Sequence, residues 1–155
     1  LCWGWATWKR AWKHFDLEMS LWPEFRDGDW LVDLLQEPLA NTYWRDIFDQ
    51  VHAGKIDTWD YQWTFACWIQ SGLTILPSEN LVQNIGFGED ATHTTDELGC
   101  GPPARNLAFP LSHPPFVLRD DRADTHTQQH HFGFGAIGYR DRVRHFFRTR
   151  LLRHL

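Results

Sequence analysis

The sequence predicts an α/β fold, rich in helices with a few short strands, and three observations carry that expectation. Between Thr42 and Ala53 the apolar residues Trp44, Ile47, Phe48 and Val51 recur at i, i+3, i+4 and i+7, the stripe of an amphipathic helix. From Trp59 to Leu76 the order is helix, glycine turn and β-branched run, a succession that belongs to α/β architecture. Near the start, Trp3-Gly4-Trp5-Ala6-Thr7-Trp8 alternates aromatic with small residues. That period suits a strand with Trp3 and Trp5 on one face.

The elements follow in order. Lys9 to Phe15 reads as a short helix, with Trp8, Trp12 and Phe15 at i, i+4 and i+7. Pro23 and Asp27-Gly28-Asp29 punctuate the next stretch; the acid-Gly-acid string lies between helices and reads as a turn. Trp30 to Leu35 is a short helix ended by Pro38. Asn41 is a good N-cap for the Thr42–Ala53 helix, and Gly54 a good residue beyond its C-terminus. A second helix is expected from Trp59 to Ser71, capped by Asp57 or Thr58 and ended by Gly72. Its buried face would be Trp59, Trp63, Ala66 and Cys67. Leu73-Thr74-Ile75-Leu76, stopped by Pro77, is expected to be a buried strand packed on that helix.

After Leu81 the texture changes. Asn84 to Thr95 is a glycine- and polar-rich loop, and Gly99 to Pro115 is loop-like with an extended piece at 106–109. Residues 1–125 form the main unit. Residues 126–155 are a basic tail, with six arginines against one acid from Tyr139 onward. Val143, Phe146, Phe147, Arg150 and Leu151 sketch an amphipathic helix there.

The 155 residues are 43% hydrophobic and 23% charged, which excludes wholesale disorder. No apolar run reaches the roughly 20 residues of a membrane span. A net charge of −5 argues against a general nucleic-acid binder, which needs a basic face. Cys2, Cys67 and Cys100 form no paired pattern and are expected as free thiols. Ten tryptophans exceed what packing requires, and their flat faces suit sugar rings, bases or protein anchors. The chain begins Leu1-Cys2-Trp3-Gly4 without an initiator Met or a signal-peptide pattern. The expectation is that an upstream part of the fold precedes it.

Two constellations offer chemistry. Asp57 and Asp60 stand three apart at a helix start, where the partial positive charge favours their ionised forms. Such a carboxylate can deprotonate a hydroxyl as a general base, or it can simply cap the helix. In Gly86-Phe87-Gly88-Glu89-Asp90-Ala91-Thr92-His93, glycines allow close backbone approach. Glu89, Asp90 and His93 offer ligands for a divalent ion, or form a solvated loop. His130 and His131, with His126 nearby, read as a mobile polar stretch in which adjacent histidines point apart.

Taken together, three ordered motifs resemble the C-terminal half of bacterial nucleotide-diphospho-sugar glycosyltransferases of the A-type fold, in particular the subgroup described as hemolytic-protein-like. They are Cys2-Trp3-Gly4-Trp5-Ala6-Thr7-Trp8-Lys9-Arg10-Ala11-Trp12, Ile56-Asp57-Thr58-Trp59-Asp60-Tyr61-Gln62-Trp63, and Pro77 through Asn80-Leu81-Val82 to Asn84-Ile85-Gly86-Phe87-Gly88-Glu89-Asp90-Ala91-Thr92-His93-Thr94. The resemblance spans about residues 2–125. It implies a partial A-type glycosyltransferase fold, the acceptor-side half. It implies a sugar pocket at Gly4, Trp5 and Trp8 with Trp59 and Trp63, a catalytic base at Asp60 with Asp57 second, and a metal ligand at His93. Trp59 stands where the family carries Glu. The nucleotide-binding sheet with its metal-binding acid pair has no counterpart here. The chain is therefore expected to be incomplete alone, with Mn or Mg serving the whole enzyme.

Two functions follow. The first is transfer of a sugar from a nucleotide-diphospho-sugar to a glycan or lipid-linked hydroxyl in bacterial polysaccharide synthesis. It would take place in the cytoplasm, with the basic tail resting on an anionic inner-membrane face. The second is a non-enzymatic, Trp-rich glycan- or protein-binding module, which needs neither Asp60 nor His93.

Overall fold

The computed structural model describes residues 4–83 and 103–132. It is helix-rich, with six helices and no strand among the described residues: α1 (Lys9–Trp12), α2 (Trp22–Asp27), α3 (Leu31–Leu34), α4 (Pro38–His52), α5 (Asp60–Ile69) and α6 (Asp121–His130). Helix α4 is the hub, touching α2, α3 and α5.

The stripe expected on α4 is the one it buries: Trp44, Ile47, Phe48 and Val51 lie in the core, joined by Ala40 one turn earlier. The helix starts sooner than its apparent Asn41 cap. Pro38 opens it, because a first-turn residue needs no N–H donor and proline presets the helical φ. Glu37 is the cap, its Oε2 accepting from Ala40 N at 2.7 Å. Pro38 therefore starts a helix rather than merely ending the one before. At the far end Gly54 takes a φ of +67°, and Lys55 N donates to Gln50 O at 2.8 Å, closing the exposed carbonyls.

Helix α2 went unread in the sequence because Pro23 looked like punctuation; at the second helical position it is tolerated. Trp22 is fully buried, edge-on to Phe48 at 5.1 Å and to Phe65 at 5.7 Å. Its indole N–H donates to Asp49 on α4 at 2.9 Å, so this polar atom enters the core with its partner. Asp27-Gly28-Asp29 is the turn expected: Gly28 caps α2, Asp29 has a φ of +56°, and Arg45 of α4 pairs with Asp29. Met19, fully buried at a φ of +49°, is set by Asp16. The Asp16 carboxylate accepts from Glu18 N at 3.0 Å, Ser20 N at 2.7 Å and the Ser20 hydroxyl.

Helix α5 corrects two expectations. Its buried residues are Gln62, Phe65 and Ala66, while Trp59 is exposed and Trp63 and Cys67 are half-buried. The helix is apolar nearly all round, so periodicity had two faces to choose from. Phe65 wins the core because it fits edge-on among Trp22, Phe25 and Phe48. Burial pushes the half-covered Cys67 thiol up, away from its reactive thiolate form. The second correction is Leu73–Leu76, which is no strand: Leu73, Ile75 and Leu76 are exposed, Ile75 to 89%. An extended run needs a neighbour for its N–H and C=O groups, and among the described residues none pairs with it. The strand expected at Trp3–Trp8 is likewise absent from the described residues 4–8.

Beyond residue 102, the chain meets the first segment where Arg105 N donates to Asn80 O at 2.7 Å. The stretch around His126 and His130 is helical rather than a loose polar stretch. Asp120 caps α6, accepting from Arg122 N and Ala123 N. Phe132 then docks on Tyr43 and Trp44 of α4.

Candidate functional site

The N-terminal segment and the start of α5 meet through aromatic rings. Trp5 stacks on Trp59, centroids 5.2 Å apart and planes 29° apart, and lies 6.0 Å from Trp63. Trp12 of α1 sits 5.9 Å from Trp5 and 5.0 Å from Trp63, and stacks almost parallel on Phe15 at 4.4 Å. The four indoles form a platform apart from the main core, with 38–40% of Trp5, Trp12 and Trp59 still open to solvent. An aromatic cluster that stays this exposed leaves ring area for a ligand.

Gly4 has a φ of +61°, and a Cβ there would overlap the Val82 side chain, so the backbone lies directly against Val82. Only glycine combines that torsion with that approach. Trp8 is the most open of these rings, and the Arg10 guanidinium lies over it 4.9 Å from the centroid. Of the expected site residues, Gly4 and Trp5 with Trp59 and Trp63 are thus linked by chain and contact, and Asp60 is the next residue after Trp59.

Asp60 opens α5, where its Oδ1 accepts from Tyr61 N at 3.1 Å and from the Thr58 hydroxyl. These bonds engage Oδ1 and leave Oδ2 without a hydrogen bond to the neighbours named. Asp57 is exposed. Gln62 of α5, four residues after Thr58, donates to Thr58 O at 2.6 Å and keeps a buried Oε1 with no hydrogen-bond partner among the described residues. His93, with Glu89 and Asp90, lies outside the described residues, as do Cys2, Cys100, Trp3 and residues 133–155 of the basic tail. Among the described residues no group of three or more His, Cys, Asp or Glu side chains converges.

Trp12, Phe15 and Gln62 were missed as site residues. The i, i+4, i+7 spacing of Trp8, Trp12 and Phe15 was the available signal for the first two. Gln62 was hidden because one polar residue on an apolar helix face carries no spacing signature.

Comparison with protein-family models, curated proteins and solved structures gives no match for this chain. Among the described residues no helix is long and apolar enough to cross a membrane.

Proposed function

We propose that this chain is the acceptor-side part of a nucleotide-diphospho-sugar glycosyltransferase. The observation that carries the reading is the stacking of Trp5 on Trp59, which joins the Gly4–Trp8 segment to the helix that begins at Asp60. A saccharide lying on the open faces of Trp5, Trp12 and Trp59 presents its hydroxyl edge toward the start of α5. There the Asp60 carboxylate takes the hydroxyl proton as the oxygen attacks the anomeric carbon of the donor. That bond to the leaving diphosphate breaks as the new glycosidic bond forms. Asp57 is the second acid at this end.

The residues present fit a divalent ion only in part. Glu89, Asp90 and His93, close together in the sequence and outside the described residues, offer O, O and N donors suited to Mn or Mg. Held there, the ion would supply charge neutralisation on the leaving diphosphate. Donor binding itself belongs to a nucleotide-binding half, and the setting is the cytoplasmic face of a bacterial membrane.

The test is turnover in a polypeptide joining this chain to such a half. Asp60→Asn is expected to keep saccharide binding and lower turnover on the order of 10²-fold or more, as loss of a general base does. Unchanged turnover excludes Asp60.

A second reading, a non-enzymatic Trp-rich module for glycans or proteins, is favoured by the local bonds Asp60 makes to Thr58 and Tyr61, which suit an acid in the first turn of a helix. On that reading Asp60→Asn lowers helix stability and no transfer is found with any donor.

A further inference from the structure

The tryptophan platform is bordered by a stretch of chain that is basic throughout. From Gly4 to Phe15 the charged residues are Lys9, Arg10 and Lys13, with His14 beside them, and the first acid is Asp16. The chain as a whole carries a net charge of −5, so this stretch stands apart from it. Its cations are also without carboxylate partners. Arg26, Arg45, Arg105, Arg119 and Arg122 each pair with an acid. Among the described residues Lys9, Arg10, Lys13 and Lys55 pair with none, and three of these four stand on α1 or at its end, exposed.

The same three border the aromatic rings. Lys9, Trp12 and Lys13 are three and four residues apart, so they are neighbours on one side of the turn. Trp12 meets Trp5 at 5.9 Å and Trp63 at 5.0 Å. The Arg10 guanidinium lies over the Trp8 ring, 4.9 Å from its centroid. Open ring faces and unpaired cations therefore occupy one patch. Each calls for a different part of a ligand. A sugar ring offers an apolar C–H face to an indole. A carboxylate on that ring places an anion at its rim, where an ammonium or guanidinium can take it in a charge-assisted hydrogen bond.

We propose that the platform selects acidic saccharides, with ring carboxylates as in uronic acids, over neutral ones, and that Lys9, Arg10 and Lys13 set this preference. The inference rests on the acceptor-side reading and names the substrate class of that site. Asp57 and Asp60 stand at the start of α5, so the carboxylate lies toward α1 and the reacting hydroxyl toward Asp60. A membrane surface fits less well, because Trp5, Trp12 and Trp59 are stacked on one another and keep only 38–40% of their area open. The acidic chain disfavours nucleic acid. A nucleotide-diphospho-sugar carries its charge on the diphosphate, which Mn2+ neutralises, and so lacks the ring anion.

The test is binding of trigalacturonate and of its fully methyl-esterified form to the full chain, followed by tryptophan fluorescence at low and high salt. The two ligands share their rings and differ in charge. At low salt the acid is expected to bind about tenfold more tightly than the ester, within what three exposed charge pairs supply. The preference should shrink as salt screens those charges. Lys9→Gln/Arg10→Gln/Lys13→Gln should abolish it, Lys9→Arg/Lys13→Arg should retain it, and Arg122→Gln on α6 should leave it unchanged. The substituted positions are exposed, so unchanged melting of the variants confirms the fold, and the acid–ester and salt comparisons need no variant. Equal binding of acid and ester by wild type overturns the proposal and leaves the platform as a saccharide site without charge selection. Binding of neither ligand overturns the acceptor-side reading along with it. A preference that survives the triple substitution also overturns the proposal. So does tighter binding of phosphatidylglycerol vesicles or oligothymidylate than of the acid, which would make the patch a membrane or nucleic-acid surface.

Discussion

Replacing Asp49 separates two contributions that meet on one oxygen. Its Oδ1 accepts from the Trp22 indole at 2.9 Å and from Arg26 at 3.2 Å. The arginine side chain is 35% exposed and the carboxylate 41%, so this pair is a surface one and contributes about 0.2–1 kcal/mol. Trp22 is fully buried, and an indole N–H deprived of its acceptor there costs about 1–3 kcal/mol. Burial, with some repulsion from Asp49, holds the Asp46 carboxyl above its ordinary range. Removing Asp49 relieves only the smaller of those two causes. Asp49→Ala is thus expected to destabilise by about 2.6 kcal/mol, the middle of those combined ranges. At about 2–4 °C per kcal/mol for a chain of this length, that lowers Tm by roughly 5–10 °C. Asp49→Asn keeps an oxygen for Trp22 and loses only the charge, so it should cost less than about 1 kcal/mol. Urea unfolding and thermal melting followed by circular dichroism measure both. If Asn proves as damaging as Ala, the charge and not the buried N–H matters; if neither moves stability, the bond contributes nothing.

Three further predictions concern local structure. The Ser20 hydroxyl first, then backbone N–H groups, holds the Asp16 carboxyl below the usual carboxylate range. Its contribution is therefore complete above the unfolded value, near pH 4, and is lost as pH falls through the lower folded value. Asp16→Ala should flatten the acid limb of a stability–pH curve, and an unchanged limb would rule this out. Gly54→Ala meets open space, so its cost should be only the left-handed backbone, about 1 kcal/mol by urea midpoint. Glu37→Ala should cost about 1 kcal/mol as loss of an N-cap, whereas Asn41→Ala should cost little, because the Asn41 amide nitrogen is buried without a partner among the described residues; the reverse order would move the start of α4.

The α4 stripe was legible because its polar and apolar faces differ: Trp44, Ile47, Phe48 and Val51 repeat cleanly among Arg45, Asp46, Asp49 and Gln50. The buried face of α5 was not, since Trp59 and Trp63 look as apolar as Phe65. Which side turns inward is set by shapes contributed from α2 and α4. Leu73–Leu76 has the composition of a strand, but a strand is a property of a pair, and one segment cannot report its neighbour. Pro23 and Pro38 misled in the same way, because proline breaks a helix interior yet suits its first turn. At the candidate site, the tryptophans were legible by their number alone. The stacking of Trp5 on Trp59 was not, since it joins positions far apart in the chain.

The most direct test of the acceptor-side reading is an NMR titration that follows the indole N–H signals, one from each tryptophan. Mono- and disaccharides are added first, and a nucleotide-diphospho-sugar with Mn2+ in a separate sample. The account predicts saturable saccharide-induced shifts at Trp5, Trp12, Trp59 and Trp63, with Trp22 and Trp44 in the core unmoved and no saturable response to the nucleotide-sugar. Saccharides that leave those four signals unchanged, or a saturable metal-dependent response to the donor alone, would contradict it.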